Sequence, residues 1–220
     1  MDIKDNEIVF EDEFLLVINK RPNLLVLPTP KKEKNTLLSL VNEYLRAKKE
    51  IAYPCHRLDR ETSGLIIFAK DIENQRKVMA QFRAHRVEKR YLGIVQGGFK
   101  KKKMVLRGYI KPQRKASRYA VTYIRRLRSF KDFSILEIRP LTGRTNQIRI
   151  QLSMINHPLI GERKYAIAKN WPIRFKRACL HAYYLEFRHP RSKDVLRLNG
   201  EFPEDIKKFL KDKGLRLELR

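Results

Sequence analysis

The chain has 220 residues, enough for one good core, and reads as a single domain over 1–220. Lys and Arg number 50 against 24 Asp and Glu, a formal net charge of +26 that points to a polyanionic partner, with nucleic acid first among the candidates. No run approaches eighteen apolar residues, which excludes a spanning helix, and no basic amphipathic stretch has the broad apolar face that a membrane surface would require.

The opening Met1-Asp2-Ile3-Lys4-Asp5 is acidic and lacks the basic-then-apolar layout of a secretory signal. Ile8-Val9-Phe10 and Phe14-Leu15-Leu16-Val17-Ile18 read as two strands about the acidic turn Glu11-Asp12-Glu13. Pro22 closes the second strand, because proline cannot continue a ladder. Leu24-Leu25-Val26-Leu27 continues extended, and Asn35 or Thr36 can cap a helix to about 48 with Leu37, Leu38, Val41, Tyr44 and Leu45 on one stripe.

Next comes the most distinctive stretch, His56-Arg57-Leu58-Asp59-Arg60-Glu61-Thr62-Ser63-Gly64, set directly against the apolar Leu65-Ile66-Ile67-Phe68-Ala69. A charged loop held by a buried strand is a rigid place to present a catalytic group. A turn-pinning Arg57–Asp59–Arg60 cluster is the plainer alternative. Cys55 precedes His56, but neighbours on an extended segment point apart, so no Cys–His nucleophile is read here. Both cysteines, Cys55 and Cys179, are isolated and read as reduced thiols of a cytoplasmic protein.

Beyond Lys70, Ile72, Val78, Met79 and Phe82 recur at helical spacing, with Arg76, Lys77, Arg83 and Arg86 on other faces. A strand follows from Glu88 through Tyr91 to Gly97-Gly98. The run Lys100 to Lys103 reads as a hairpin tip. Arg107, Lys111, Arg114, Lys115 and Arg118 continue its charge between Tyr109 and Tyr119. Basic residues interleaved with aromatics suit a surface that grips phosphates and stacks bases, so Lys101, Lys102, Arg114 and Lys115 are taken as candidate contacts to a nucleic-acid backbone. The segments 120–124 and 133–138 pair naturally as antiparallel strands. Thr145 or Asn146 can then cap a helix bearing Ile148, Leu152 and Ile155, which leaves Arg144 at a strand-to-helix corner. A basic loop around Trp171 leads to a last core strand from Leu180, and a helix over 205–210 closes the chain. The five histidines show no His-x-x-x-His or carboxylate pairing, so metal catalysis is not expected.

Several of these stretches resemble the motifs of one family. His56-Arg57-Leu58-Asp59 with Thr62-Ser63-Gly64-Leu65 and Ala69-Lys70 is similar to the catalytic-aspartate motif of the RluA family of pseudouridine synthases. Glu11-Asp12-Glu13 with Asn19-Lys20-x-Pro22, Lys89-Arg90-Tyr91 with Ile94-Val95, Arg144-Thr145-x-Gln147-Ile148-Arg149 and Leu180-His181-Ala182 resemble its other motifs in order. The resemblance runs from about Phe10 to Pro190. It implies an α+β pseudouridine synthase fold, a mixed and mainly antiparallel sheet with flanking helices and a central catalytic cleft. It also implies a compact member without the family's extra N-terminal RNA-binding domain.

The activity so implied is isomerisation of specific uridines in ribosomal or transfer RNA. Asp59 would be the nucleophile, Arg144 its ion-pair partner lowering the carboxylate pKa, and Tyr91 the ring stacked on uracil. Arg57 would take the place of the flipped base, Arg60 would grip phosphate, and His56, Thr62 and Leu180 would lie against the substrate. No metal, cofactor or membrane enters, and a monomer is the default. The family more often has His where Asn146 stands and near Gln151, and an acidic-then-Tyr-Gly pattern where Glu162-Arg163-Lys164-Tyr165-Ala166 is found. Two other readings stay open. One is a glycosidase-like pair of Asp59 with Glu61; the other is a non-catalytic basic RNA-binding module.

Overall fold

The computed structural model describes residues 2–112, 116–166 and 171–217. After a short 3-10 turn, β1 (Ile8–Glu11) and β2 (Leu15–Lys20) form a hairpin. Helix α1 (Leu37–Arg46) starts at Thr36, whose hydroxyl accepts the Ser39 N–H at 3.2 Å, satisfying a donor that the helix itself leaves free. A two-residue strand β3 (Tyr53–Pro54) precedes β4 (Ser63–Ala69), every residue of which is buried. Helix α2 (Ile72–Arg83) is capped by Asp71. Then come β5 (Glu88–Gln96), β6 (Lys103–Ile110), β7 (Arg118–Ser129), β8 (Phe133–Pro140), α3 (Gln147–Met154), β9 (Leu180–Arg188), β10 (Val195–Asn199) and α4 (Glu204–Asp212).

The strands make one mixed sheet in the order β1-β2-β4-β9-β5-β8-β7-β6, with β3 beside β4 and β10 beside β9. Every pairing is antiparallel except β4 with β9. Alternation along the strands sends side chains to two faces, each covered over part of its length by helices. On one face Leu16, Ile18, Ile66 and Phe68 pack with α1, while Ile124, Leu136 and Ile138 pack with Ile148 and Leu152 of α3. On the other, Leu15, Val17, Leu65 and Ile67 meet Val78 of α2, and Leu92, Ile94 and Ile135 meet Ile206 and Leu210 of α4. Tyr91 touches both clusters of the first face, so it stands where the two halves of the sheet join.

That joint is narrow. β4 and β9 pair only at Ser63–His181 and Gly64–Ala182 before β9 turns to β10. Gly64 has φ +120°, and a Cβ there would lie 2.2 Å from the Ala182 carbonyl oxygen. Only glycine allows both the backbone angle and the contact. The motif glycine thus closes the sheet immediately after the charged loop.

The structure corrects several details of the sequence reading. Lys100 to Lys103 is no hairpin tip: it begins the passage from β5 to the sheet's far edge, because β5 pairs with β8 and not with β6. Lys101 and Lys102 precede the Lys103 end of β6, whose Ile110 end lies toward the cavity described below, roughly 23 Å farther along the strand. Arg114 and Lys115 lie outside the described residues, as do 167–170 of the loop before Trp171. Helix α3 has no side-chain cap. Asn146 takes the left-handed conformation (φ 54°) that Asn tolerates, and the Gln147 side chain accepts the Arg144 N–H at 3.0 Å instead. Short β3 and β10 had no signal of their own, being alternations too brief or too polar to stand out.

Candidate active site

The loop between β3 and β4 is fastened from three sides. Its backbone is stitched to β4 by the Cys55 N–H on the Ile67 carbonyl at 2.9 Å, and the His56 Nε2 accepts the Ile67 N–H at 3.1 Å. The His56 ring also packs on Phe82 at 4.6 Å. Burial, helped by the charge of Lys89, pushes this imidazole down to about 3, so it stays neutral and able to accept. His56 lines the cavity, but its described partners are scaffold. From below, Lys20 is 1% exposed and its Nζ donates to the carbonyls of Arg21, Leu24 and Arg60 at 2.9, 2.9 and 3.2 Å. Burial, reinforced by Arg177, brings this lysine down to about 7 while Asp59 pulls the other way.

The third fastening is Arg177, also 1% exposed. Its fork takes Asp205 of α4 at 2.7 and 3.0 Å, and Nη1 donates to the carbonyls of Glu61 and Leu180 at 3.0 and 3.2 Å. It therefore ties the loop and the start of β9 to the C-terminal helix. Sequence reading left Arg177 within a basic loop and missed it, as it did Lys20 as a loop support; a single cation among 50 carries no local sign of burial.

Over this base opens a cavity of about 610 Å³. Its lining brings together Asp59, Arg57, His56, Thr62, Tyr91, Leu180 and Arg144 from four separated segments, together with Asn146 and Arg149. Thr62 donates its N–H to the Asp59 carbonyl at 3.2 Å and is itself buried. Arg60 is not in the lining; its guanidinium meets Glu33 at 3.2 Å on the outer side.

The charge partner of Asp59 is not the one the sequence suggested. Arg144 is exposed, its Nε donates to the Tyr119 carbonyl at 3.1 Å, and it forms no ion pair with Asp59. The physical reason is the left-handed turn at Asn146, which leaves Arg144 on the rim before the helix begins. Arg149, within α3, points inward. It is buried, grips Glu162 through two hydrogen bonds of 2.6 and 2.8 Å, and reaches Glu61 at 2.9 Å. Glu61 is thereby engaged as a support for Arg149, away from the flanking role that the glycosidase-like reading needs.

Asn146 is another residue that sequence reading undervalued. With its amide oriented to satisfy both neighbours, the nitrogen donates to the two Asp59 carboxylate oxygens at 2.7 and 3.2 Å, and the oxygen accepts from the Tyr165 hydroxyl at 2.9 Å. Its departure from the commoner histidine was the available signal.

Burial raises the Asp59 pKa above the ordinary 3.8, and the charges of Arg149, Arg57, Lys164 and Lys20, in that order, work against the rise. The expected lowering by a cation is present, but desolvation outweighs it. Burial and the Asp59 charge also push the Tyr91 phenol upward, so at neutral pH it keeps its proton. In Glu162, burial opposes ionisation but the Arg149 fork prevails and its carboxyl sits below the usual range. The resulting site is a desolvated carboxylate beside an aromatic phenol and an apolar wall, with cations at the rim. Such a site can attack an electrophilic carbon and hold a flat ring. Among the described residues no three His, Cys, Asp or Glu side chains gather to hold a metal ion, and no helix is long and apolar enough to cross a membrane.

The family described as RNA pseudouridylate synthase matches residues 14–154. The chain is 34% identical to the ribosomal large subunit pseudouridine synthase D of Zymomonas mobilis, across 93% of this chain and 72% of that protein. It is 32% identical to the protein of the same name from Pseudomonas aeruginosa, across 91% and 69%. Among solved structures, human RNA pseudouridylate synthase domain containing 4 superposes with a TM-score of 0.79 at 23% identity, over 96% of this chain and 94% of that one. At that identity the likeness is one of fold.

The two arginines differ in a testable way. Arg149→Ala leaves Glu162 buried without its partner and is expected to cost about 3–5 kcal/mol of stability. Arg144→Ala removes one rim contact and should cost no more than about 0.5–1 kcal/mol. Urea unfolding of both variants measures the difference; equal losses would remove Arg149 from its place at the centre of the site.

Proposed function

The chain belongs to the RNA pseudouridylate synthase family, and from that premise we propose that Asp59 is the nucleophile with which it isomerises uridine in ribosomal RNA. The protein is an RNA pseudouridine synthase, an isomerase. The single observation that best supports the assignment of Asp59 is its position: a desolvated carboxylate in the cavity, held at both oxygens by Asn146 and facing Tyr91 and Leu180. Ribosomal RNA of the large subunit is proposed as substrate because relatives at 34% and 32% identity carry that substrate in their names. A cytoplasmic site of action goes with that substrate.

The reaction needs no outside reactant. The Asp59 carboxylate attacks C1′ of the target uridine, and the N1–C1′ electron pair leaves with the uracil. The freed ring turns, C5 attacks C1′, and the carboxylate is released. The C5 proton passes to solvent and N1 takes one up, so atoms and electrons balance. Tyr91, kept protonated, would pack on the ring and offer a proton rather than remove one. Leu180 and Tyr91 would keep water from C1′, where it would turn isomerisation into hydrolysis. A paired uridine must leave its stack to reach the cavity, at a cost of a few kcal/mol. Arg57, exposed at the cavity edge two residues before Asp59, is placed to fill the space the base leaves. Arg144 and Lys164 at the rim would meet phosphate.

Large-subunit ribosomal RNA labelled with tritium at uracil C5 should release the label to water with the wild type and not with Asp59→Ala. Release that survives the substitution would end the assignment. The ionised carboxylate is the active form, so kcat/KM should fall as pH drops through the raised Asp59 pKa. Asn146→Ala removes donors that favour the charged form. Its acid limb should therefore move to higher pH by about one unit, whereas an unmoved limb would make the Asn146 contact incidental.

A further inference from the structure

The sheet carries a second surface suited to RNA, on the side away from the cavity. Along β6 and β7, Leu106, Ile110, Ala120 and Ile124 turn inward to α3. Their alternate neighbours turn outward, and there the chain exposes Tyr109 (70%), Tyr119 (46%), Tyr123 (41%) and Val105 (38%). Register makes them one patch: Tyr109 is paired with Tyr119 and Val105 with Tyr123. The Tyr109 and Tyr119 rings meet edge to face at 5.4 Å.

From this arrangement we propose that the outer face of the β6–β7 ribbon is a stacking platform for an unpaired stretch of the substrate RNA, continuous with the segment whose uridine enters the cavity. The proposal rests on the reading of the chain as an RNA-acting enzyme and adds a second contact to it. Three exposed tyrosines on a two-stranded ribbon are more aromatic surface than a solvated sheet face calls for, and no described element packs on them. Paired bases hide their faces in the helix, so exposed rings select single strands. The charge around the rings agrees. Lys103 and Arg107 lie on the same face with no acidic partner among the described residues, while Arg125 and Arg139 are matched by Glu137 and Glu88. A second copy of this chain is disfavoured as occupant, because the net charge of +26 would set like against like. The patch also adjoins the cavity rim: Arg144, which lines the cavity, donates to the backbone carbonyl of Tyr119. RNA leaving the cavity past Arg144 meets Tyr119 and Tyr109 at the ribbon's near end, and Tyr123 roughly 13 Å farther along the strand.

The test measures binding of fluorescein-labelled oligouridylates of about 20 and about 5 nucleotides by anisotropy, across a salt series. It compares the wild type with a triple variant carrying Tyr109→Ala, Tyr119→Ala and Tyr123→Ala, and with the matching triple Phe variant. The Ala variant should bind the longer oligomer at least about tenfold more weakly, with an unchanged salt slope, while the Phe variant stays within about twofold. The shorter oligomer, spanning only the cavity, should bind all three alike. Ala and wild-type proteins that bind the longer oligomer equally would overturn the platform while leaving the tritium-release result standing. So would a wild-type dimer, seen by sedimentation, that the Ala variant abolishes. A wild type that binds neither oligomer and releases no tritium would instead defeat the RNA reading itself.

Discussion

An ionised carboxylate withdrawn from water loses several kcal/mol of solvation unless charges and hydrogen bonds replace it, and the architecture around Asp59 is organised by that constraint. Arg149 brings positive charge from α3 but is itself buried, so it requires Glu162 and Glu61. Asn146 occupies both carboxylate oxygens, and its left-handed backbone conformation sets where α3 begins. The balance leaves Asp59 more easily protonated than an exposed aspartate and correspondingly more nucleophilic once ionised. A fully compensated carboxylate would be more comfortable and less reactive.

The same constraint explains why the supporting groups come from distant parts of the chain. A loop of this charge density cannot hold its own backbone against a buried strand. Lys20 from β2 and Arg177 from the segment before β9 donate to its carbonyls from within the core. Gly64 lets β4 and β9 approach closely directly after the loop. Through Asp205, the C-terminal helix becomes part of the loop's foundation although none of its residues lines the cavity.

What the sequence made legible was local. The continuous apolar runs of β2 and β4, the Thr36 cap and the stripe of α1 appear in the structure as read, because apolar patterning and cap chemistry act within a few residues. The family and fold were legible in motif order. The partner of Asp59 was not. Arg144 and Arg149 stand five residues apart in one motif, and which of them turns inward depends on the backbone angle of Asn146, which composition does not encode. Lys20 and Arg177 were hidden for a related reason: in a chain with 50 basic residues, burial of two is decided by tertiary packing alone. The basic ribbon was legible as charge, but its face became visible only when strand register placed Tyr109 opposite Tyr119.

Whether burial outweighs the surrounding cations and keeps the carboxyl poised is read most directly from that carboxyl itself. Carbon-13 NMR of protein labelled at aspartate side chains, with Asp59→Asn to assign the resonance, gives its titration midpoint. A midpoint above 3.8 is expected in the wild type, moving higher still in Asn146→Ala. A midpoint at or below 3.8 would mean that the cations prevail over burial, and that Asp59 is not held poised by desolvation.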